Sequence, residues 1–586
     1  MRLAVALVLA LAASPALARK LPRASTASLT SPQMFGAFSY QFSQTERIEV
    51  AFGKTIVSAT GRGHTPWMGW FPLRVSIDNT GGPKQTVKLV FRSSSGSAGT
   101  EVTRTVDVDS GARLTVSMPI PAEARYGSLE ASSPVIGRQT GQVGFTTLTL
   151  SGSFFGVSDR RLVLSFGTSD EFEAFLRQKP DNSTGEVQVL PMPLDEAPTE
   201  LTAYLGFQAV FITDERGFEG LNEAQRRALE AWVSSGGTLI LESPPRTQGV
   251  LPLLGPEGRV QTYGLGHVAF LEDDAIARHV GVRRSLSTVP QAKLQVAPLG
   301  QHESTRRSAG SGTGSYSALL PQALVPVGRF LFIISLFTLL IGPGSVWIAR
   351  KRGPAVLLAT IPATALVTCV VILGSSLLLD GFTVHGSSYG YTLLDRDRNR
   401  AITVGLTAWY ANLAPRSASY DATTALIAPQ RGGEPTSIDV DWSDGARYRS
   451  GFIPSRTYRE WGVVSVEPTR ARLVVKQKGE RFVLQNALGM KVKAVWVRVG
   501  DELFVARDVR DGAEVALTPD DMVDETVLEL PARQRFVESQ WRPLVMAPLA
   551  DGQFLASVEG AGFVPTGGVA MNLHEGKHVV RGQVER

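Results

Sequence analysis

The alternation of apolar and polar positions predicts β-structure in the first part of the chain. From about residue 47 to residue 150, short alternating runs are separated by turn sequences such as Asn79-Thr80-Gly81-Gly82. Alternation with period two, interrupted at short intervals by turns, is typical of β-sandwiches. We therefore expect an immunoglobulin-like sandwich over residues 40–155.

The pattern changes over residues 156–285, where apolar runs alternate with stretches of helical period. Strands are expected at residues 162–167, 186–190, 208–214 and 238–243. Between the last two, "NEAQRRALEAWVSSGG" has helical spacing, with Asn222 placed to cap it and Gln225 to complete a capping box. Alternating strands and helices predict a parallel sheet with helices on both faces.

Two longer apolar runs are candidates for membrane spans. Residues 330–349 and residues 355–379 carry no charge, and about 20 helical residues are enough to cross a bilayer. The intervening residues 350–354 include Arg350, Lys351 and Arg352, which predict a cytoplasmic loop. The alternative is a buried helical hairpin in a soluble protein.

The amino terminus predicts the compartment of the flanking regions. Arg2, an apolar run and Ala16-Leu17-Ala18 form the pattern of a secretory signal peptide over residues 1–18, an uncleaved anchor being the alternative. We expect a protein of the bacterial inner membrane that crosses it twice, with both large regions outside the cytoplasm. Residues 286–325 resemble a flexible linker, and the alternating pattern of residues 380–586 predicts a β-rich region.

Composition excludes several classes of function. The net charge of +5 comes without a dense basic segment, so we expect no nucleic acid partner. Cys369 is the single cysteine, which rules out disulfides within the chain and zinc sites built from several cysteines. We expect no cofactor.

The segment "FQAVFITDERGFEGLNEAQRRALEAWVSSGGTLILESPP" resembles the central part of class I glutamine-amidotransferase-like domains. The resemblance implies a flavodoxin-like sheet and a nucleophile elbow that bears a cysteine. Here the elbow positions hold Glu242 and Ser243, and Pro244 lacks the N–H that an oxyanion hole takes from that position. The resemblance therefore implies a degenerate domain, and we expect no catalytic residues.

Ligand binding by this domain is a separate expectation. Asp214, Glu215 and Arg216 follow one predicted strand, and Glu242 and Ser243 end the next. Ligands bind at the carboxyl ends of such strands, although a solvated loop is the simpler interpretation. An alternative function is an extracytoplasmic ligand sensor or hydrolase, for which His267 is a candidate base.

A second resemblance concerns the whole chain. The segment "LFTLLIGPGSVWIARKRGPAVLLATIPATALV" and the following "YTLLDRDRNRAITVG" are similar to a group of uncharacterised bacterial membrane proteins. These proteins combine a β-sandwich, an amidotransferase-like domain and an Ile-Gly-Pro membrane hairpin. The resemblance implies an architecture and no specific activity.

Near the carboxyl terminus, "HEGKH" (residues 574–578) fits the H-E-x-x-H signature of zinc proteases. That signature needs a helix, which Gly576 and the neighbouring glycines disfavour. We predict a hairpin with its turn at Glu575-Gly576, and no metal site. The favoured function is a non-enzymatic, bilayer-anchored scaffold or accessory subunit with membrane-protein partners, such as a transporter.

Overall fold

The computed structural model of the chain describes several ranges, which belong to one compact unit, Gln44–Arg586. The predicted signal peptide, and the predicted linker apart from residues 319–320, lie outside them. The described residues are 46–52, 55–61, 70–93, 99–121, 126–133, 137–144, 161–167, 187–207, 209–213, 216–242, 261–270, 319–320, 327–379, 383–427, 438–449, 452–530 and 545–586.

The first part of the described chain forms two antiparallel layers, as its alternating pattern predicts. One sheet has the order β1-β2-β3-β6, and the other contains β5-β4-β7-β8. Side chains such as Ile77 and Met118 from the first sheet share a core with Leu89 and Phe91 from the second. The strands are β1 (Glu46–Phe52), β2 (Thr55–Gly61), β3 (Trp70–Asp78), β4 (Gln85–Ser93), β5 (Glu101–Val108), β6 (Arg113–Pro121), β7 (Tyr126–Ser133) and β8 (Gly137–Gly144).

The next strands form the predicted parallel sheet. They are β9 (Arg161–Phe166), β10 (Val187–Met192), β11 (Ala209–Ile212), β12 (Thr238–Leu241), β13 (Gln261–Tyr263) and β14 (Gly266–Phe270). Their order is β10-β9-β11-β12-β14-β13, and only the edge strand β13 runs antiparallel. Short 3₁₀ helices lie at Leu194–Glu196, Leu201–Tyr204 and Gly217–Gly220.

Helix α1 (Glu223–Ser234) is confirmed with its predicted capping box. The Asn222 side chain accepts a hydrogen bond from the Gln225 backbone N–H, and the Gln225 side chain accepts one from the Asn222 N–H, at 2.9 Å each. The Gln225 amide group also donates to the carbonyls of Asp195 and Ala197. The cap therefore ties the helix to the loop that precedes β11.

In the part of the chain that the structure describes, two helices are long and apolar enough to cross a membrane: Leu331–Arg352 and Pro354–Ile372. The first comprises α2 (Val327–Leu339), a π-helical turn (Leu340–Gly344) and α3 (Ser345–Arg352). Pro343 lies within the π turn, where its missing N–H interrupts the regular ladder. After a 3₁₀ turn at Pro354–Val356, α4 (Leu357–Leu379) forms the second helix.

The remaining strands form most of the carboxyl-terminal region, together with the short helix α5 (Glu525–Leu528). They are β15 (Val384–Asp395), β16 (Arg400–Ala411), β17 (Ala418–Tyr420), β18 (Thr424–Ile427), β19 (Asp439–Asp441), β20 (Ala446–Tyr448), β21 (Tyr458–Pro468), β22 (Arg472–Lys478), β23 (Arg481–Ala487), β24 (Val492–Val499), β25 (Glu502–Val509), β26 (Glu514–Ala516), β27 (Thr518–Asp520), β28 (Gln553–Glu559) and β29 (Met571–Gln583).

A nine-stranded sheet organises this region. Its order is β18-β21-β16-β15-β29-β28-β24-β25-β27, with β15 and β29 parallel. Tyr391 and Val404 of this sheet share a core with the parallel sheet, whereas Leu394 and Ala401 belong to a core with the small sheet β22-β23-β26. The large sheet is therefore packed on both faces.

The two regions that flank the apolar helices share a sheet. Strand β19 pairs in parallel with β5, which extends the second sandwich sheet to β17-β20-β19-β5-β4-β7-β8. The Glu101 N–H donates to the Ile438 carbonyl, and the Trp442 N–H donates to the Thr103 carbonyl, at 2.8 Å each. Strands from both sides of the helical hairpin thus complete one layer.

Two buried tryptophans stabilise the contact between the region before the apolar helices and the region after them. We call this contact the seam. Trp70 and Trp442 meet edge to face with ring centroids 5.6 Å apart. The Trp70 indole N–H donates to the Leu426 carbonyl at 2.8 Å, and that of Trp442 donates to the Pro119 carbonyl at 3.1 Å. Each ring therefore buries a large apolar surface without leaving its N–H unsatisfied.

We expect the seam to contribute strongly to stability. The Trp442→Ala substitution removes a ring that is 2% exposed, together with its hydrogen bond to Pro119. The free energy of unfolding should fall by about 3–5 kcal/mol, as for other buried aromatic truncations. Thermal unfolding of the purified full-length protein in detergent measures this. Leu413→Ala, at a 59% exposed position, is the matched control, and equal unfolding midpoints for the two variants would contradict the assignment.

Candidate functional site

The predicted ligand site lies at the carboxyl ends of the parallel strands. The structure describes two of its five residues. Glu242 directly follows β12, where its N–H donates to the Ile212 carbonyl at 3.1 Å. Arg216 is exposed and lies 4.0 Å from the exposed Asp195 carboxylate. Asp214, Glu215 and Ser243 lie outside the described residues.

The point where the strand order reverses lies between β9 and β11, and this is where open parallel sheets bind ligands. Thr213 directly follows β11 at this position. Its N–H and its hydroxyl both donate to the Phe166 carbonyl, at 2.9 and 3.2 Å. Thr213, the first polar residue where the strand order reverses, is therefore hydrogen-bonded to the backbone of the neighbouring strand β9.

His267, the candidate base, lies near the opposite end of the parallel strands. It pairs with Thr238 at the start of β12, whereas Glu242 follows the end of that strand. Four residues of extended strand correspond to about 13 Å. Burial lowers the pKa of the half-buried His267 imidazole. The structure thus does not bring His267 and Glu242 together.

The hairpin predicted at Glu575-Gly576 is wrong, because the HEGKH segment lies within the continuous strand β29. The strand has a glycine at position 576 because the Gly560 carbonyl packs directly against it. A Cβ at Gly576 would lie 2.0 Å from that oxygen. His574 is exposed and His578 is fully buried. The two histidines of the motif thus lie in different environments.

The His578 ring packs closely against two glycines, Gly562 and Gly390. A Cβ on Gly562 would lie 2.4 Å from its Cγ, and a Cβ on Gly390 would lie 3.0 Å from its Nδ1. Burial lowers the pKa of His578 to about 3, and the Ser388 backbone offsets only part of this effect. The imidazole is therefore neutral and acts as part of the core.

His574 contacts a different histidine. Its Nε2 lies 2.7 Å from Nδ1 of His385, near the start of β15, with the ring planes 31° apart. The next residue, Glu575, accepts a hydrogen bond from the Tyr389 hydroxyl at 2.8 Å, and burial is the main cause of the raised pKa of Tyr389. Sequence reasoning missed His385, because it lies 189 positions from His574.

Half of the "DRDRNR" segment at the β15–β16 turn packs within the protein. Asp395 pairs with Arg398 and Arg400 at 3.0 Å each, and both guanidinium groups lie over the Tyr263 ring of β13. Burial raises the pKa of the nearby Glu230 carboxyl despite these two arginines. This polar cluster joins the parallel sheet to the large sheet.

Within the described ranges, no group of three or more His, Cys, Asp or Glu side chains is arranged to hold a metal ion. Cys369 is exposed on α4. The described chemistry therefore consists of the strand-end polar residues, the His385–His574 pair and the charged cluster around Asp395.

We expect His578 to make stability depend on pH. Its folded pKa of about 3 lies below the ordinary value of 6.5, so between these values the unfolded chain takes up a proton that the folded chain does not. Stability therefore falls as the pH falls through this window, by at most about 1.4 kcal/mol per pH unit.

The substitution His578→Asn tests this, because an amide does not titrate. Between pH 7.5 and pH 4.5 the wild-type protein should lose about 2–3 kcal/mol more of its unfolding free energy than the variant does. Denaturant titrations at both pH values measure the difference. Asn572→Ala, at an exposed position of the same strand, should retain the wild-type dependence. Parallel curves for wild type and His578→Asn would contradict the buried neutral histidine.

No family profile matches the chain, and a search of curated proteins finds no match either.

Proposed function

We propose that this protein is a non-enzymatic scaffold or accessory subunit, anchored in the bacterial inner membrane by its two apolar helices. Its folded body outside the cytoplasm would bind membrane-protein partners, for example the subunits of a transporter. The pairing of β5 with β19 is the observation that carries this proposal.

That pairing supports a two-pass topology. Strands of one sheet must lie on the same side of any membrane, and β5 precedes both apolar helices whereas β19 follows both. An even number of crossings satisfies this condition. Arg350, Lys351 and Arg352 form the last turn of α3, at the end of the first apolar helix, where positive charge favours the cytoplasm.

The exposure of the helices supports membrane anchoring and contact with partner helices. Large apolar side chains are exposed on both helices, including Phe332 at 69% and Leu358 at 84%. Lys351 lies 3.9 Å from the centre of the Trp347 ring, a pair suited to the headgroup region. Such surfaces are stable when lipid or other helices cover them.

A role without catalysis is supported by the parallel sheet. The order of its parallel strands, β10-β9-β11-β12-β14, supports the proposal of a flavodoxin-like unit and of a degenerate amidotransferase-like domain. Glu242 and His267 lie near opposite ends of the parallel strands. Pro244 occupies the position whose backbone N–H a nucleophile elbow would need. We assign this unit a binding or packing role.

Cysteine labelling tests the topology. In a Cys369→Ser background, Asp397→Cys places a single thiol on an exposed turn of the body, and Lys351→Cys places one between the apolar helices. A membrane-impermeant maleimide, added to cells with a permeabilised outer membrane, should label only the Asp397→Cys variant. Lysis should expose the thiol of the Lys351→Cys variant. Labelling of both before lysis, or the reverse pattern, would contradict the proposal.

Partner recovery tests the scaffold role. Gly342 has open space around its Cα within the described chain, so Gly342→Leu should leave the fold intact while adding bulk to a face that a partner helix would use. Overpacking of about 1–3 kcal/mol would weaken association roughly 5- to 150-fold. Quantitative mass spectrometry of membrane proteins that copurify in mild detergent measures the loss.

Gly374→Leu is the matched control, because Gly374 also has open space on the second helix. It should retain the partners if Gly342 marks the contact. A full-length protein that copurifies with no membrane protein, even after mild crosslinking, would overturn the scaffold proposal.

A further inference from the structure

The His385–His574 pair brings together two imidazole rings on neighbouring strands at the protein surface. The two rings come from strands far apart in sequence, and their facing nitrogens lie 2.7 Å apart with ring centroids at 4.9 Å. Both side chains reach solvent. The pairing of β15 with β29 fixes the two backbones, so the imidazoles are held together before any ligand arrives.

A β-bulge gives His574 its position. In the β15–β29 ladder, Gly386 pairs with Leu573 and Ser387 pairs with Glu575, which leaves His574 as the extra residue. Bulges often re-aim a side chain at a functional site. Asn572 is the register partner of His385 in the same ladder.

We propose that His385 and His574 form a binding site for a divalent transition metal ion, with copper(II) as the preferred ion. Imidazole nitrogens are good ligands for copper, and copper(II) binds most tightly among the divalent ions of its row. Water molecules complete the coordination, since the described residues offer no third His, Cys, Asp or Glu at this place.

The two facing nitrogens are close enough to bind one metal ion after a small movement of the rings. With metal–nitrogen bonds of about 2.0 Å, two neighbouring ligands lie about 2.8 Å apart in square-planar geometry and about 3.3 Å apart in tetrahedral geometry. The observed 2.7 Å is the length of a direct hydrogen bond, with ring centroids 4.9 Å apart, so both rings must rotate for their nitrogens to converge on one ion. The preference for copper(II) therefore rests on its affinity for imidazole nitrogens and not on this separation.

The outer nitrogen of His385 has a partner suited to this role. Its Nε2 lies 3.5 Å from the Thr383 hydroxyl oxygen, which accepts the N–H once Nδ1 binds the metal. The proton shared between the two rings moves to the outer nitrogen of its own ring, so each ligand stays a neutral imidazole. Such an outer hydrogen bond commonly orients a metal-binding histidine.

The test uses the full-length protein in detergent, purified through a tag that contains no histidine. Titration with copper(II) should give one ion per chain, and pulsed electron paramagnetic resonance should detect two imidazole nitrogens on it. His385→Gln and His574→Gln should each weaken binding about 10- to 100-fold. His267→Gln removes a histidine from a different sheet and is the matched control.

The measurements separate this proposal from a simple hydrogen-bonded pair. Binding that is unchanged by His385→Gln and His574→Gln, or that falls well short of one ion per chain, would overturn it. Tighter binding of zinc(II) than of copper(II) would overturn the preference for copper(II). Equal thermal midpoints of the metal-free variants and wild type would show that a loss of binding does not come from unfolding.

Discussion

The parallel pairing of β5 with β19 is the constraint on which the rest of the structure depends. It joins residues that precede the apolar helices to residues that follow them, and the nearby Trp442–Pro119 hydrogen bond spans 323 positions. Closing so long a loop costs entropy that grows only slowly with its length. Burial of Trp70 and Trp442 offsets that cost. The two apolar helices are thus an insertion between parts of the chain that belong to one folded body.

Polar contacts specify how the layers of that body meet. Arg104 pairs with Glu200 at 2.6 Å, and Arg74 pairs with Glu196, so two ion pairs join the first sandwich to the loop before β11. Buried or half-buried pairs of this kind contribute little net stability, because desolvation opposes the attraction. A mismatched docking of the layers would leave these charges unpaired. Their contribution is therefore to the specificity of the arrangement.

Local chemistry could be predicted from the sequence, and distant pairing could not. Helix α1 was predicted because Asn222 and Gln225 form a capping box within one turn. Strand β19 covers only Asp439–Asp441, too short for a periodic signal, and its partner lies in another region. Gly576 was misread because glycine often marks a turn, whereas here it allows the Gly560 backbone to approach.

The HEGKH segment shows why a motif needs its structural context. Among the described strands, the first half of β29 pairs with β15 alone, whereas the second half also pairs with β28 from Lys577 onwards. His574 therefore lies where the strand is an edge and reaches solvent, and His578 lies where it is central and buried. A helix would have directed both histidines at one ion. On this strand they separate, and His574 gains His385 as its neighbour through a register that no spacing rule within the motif encodes.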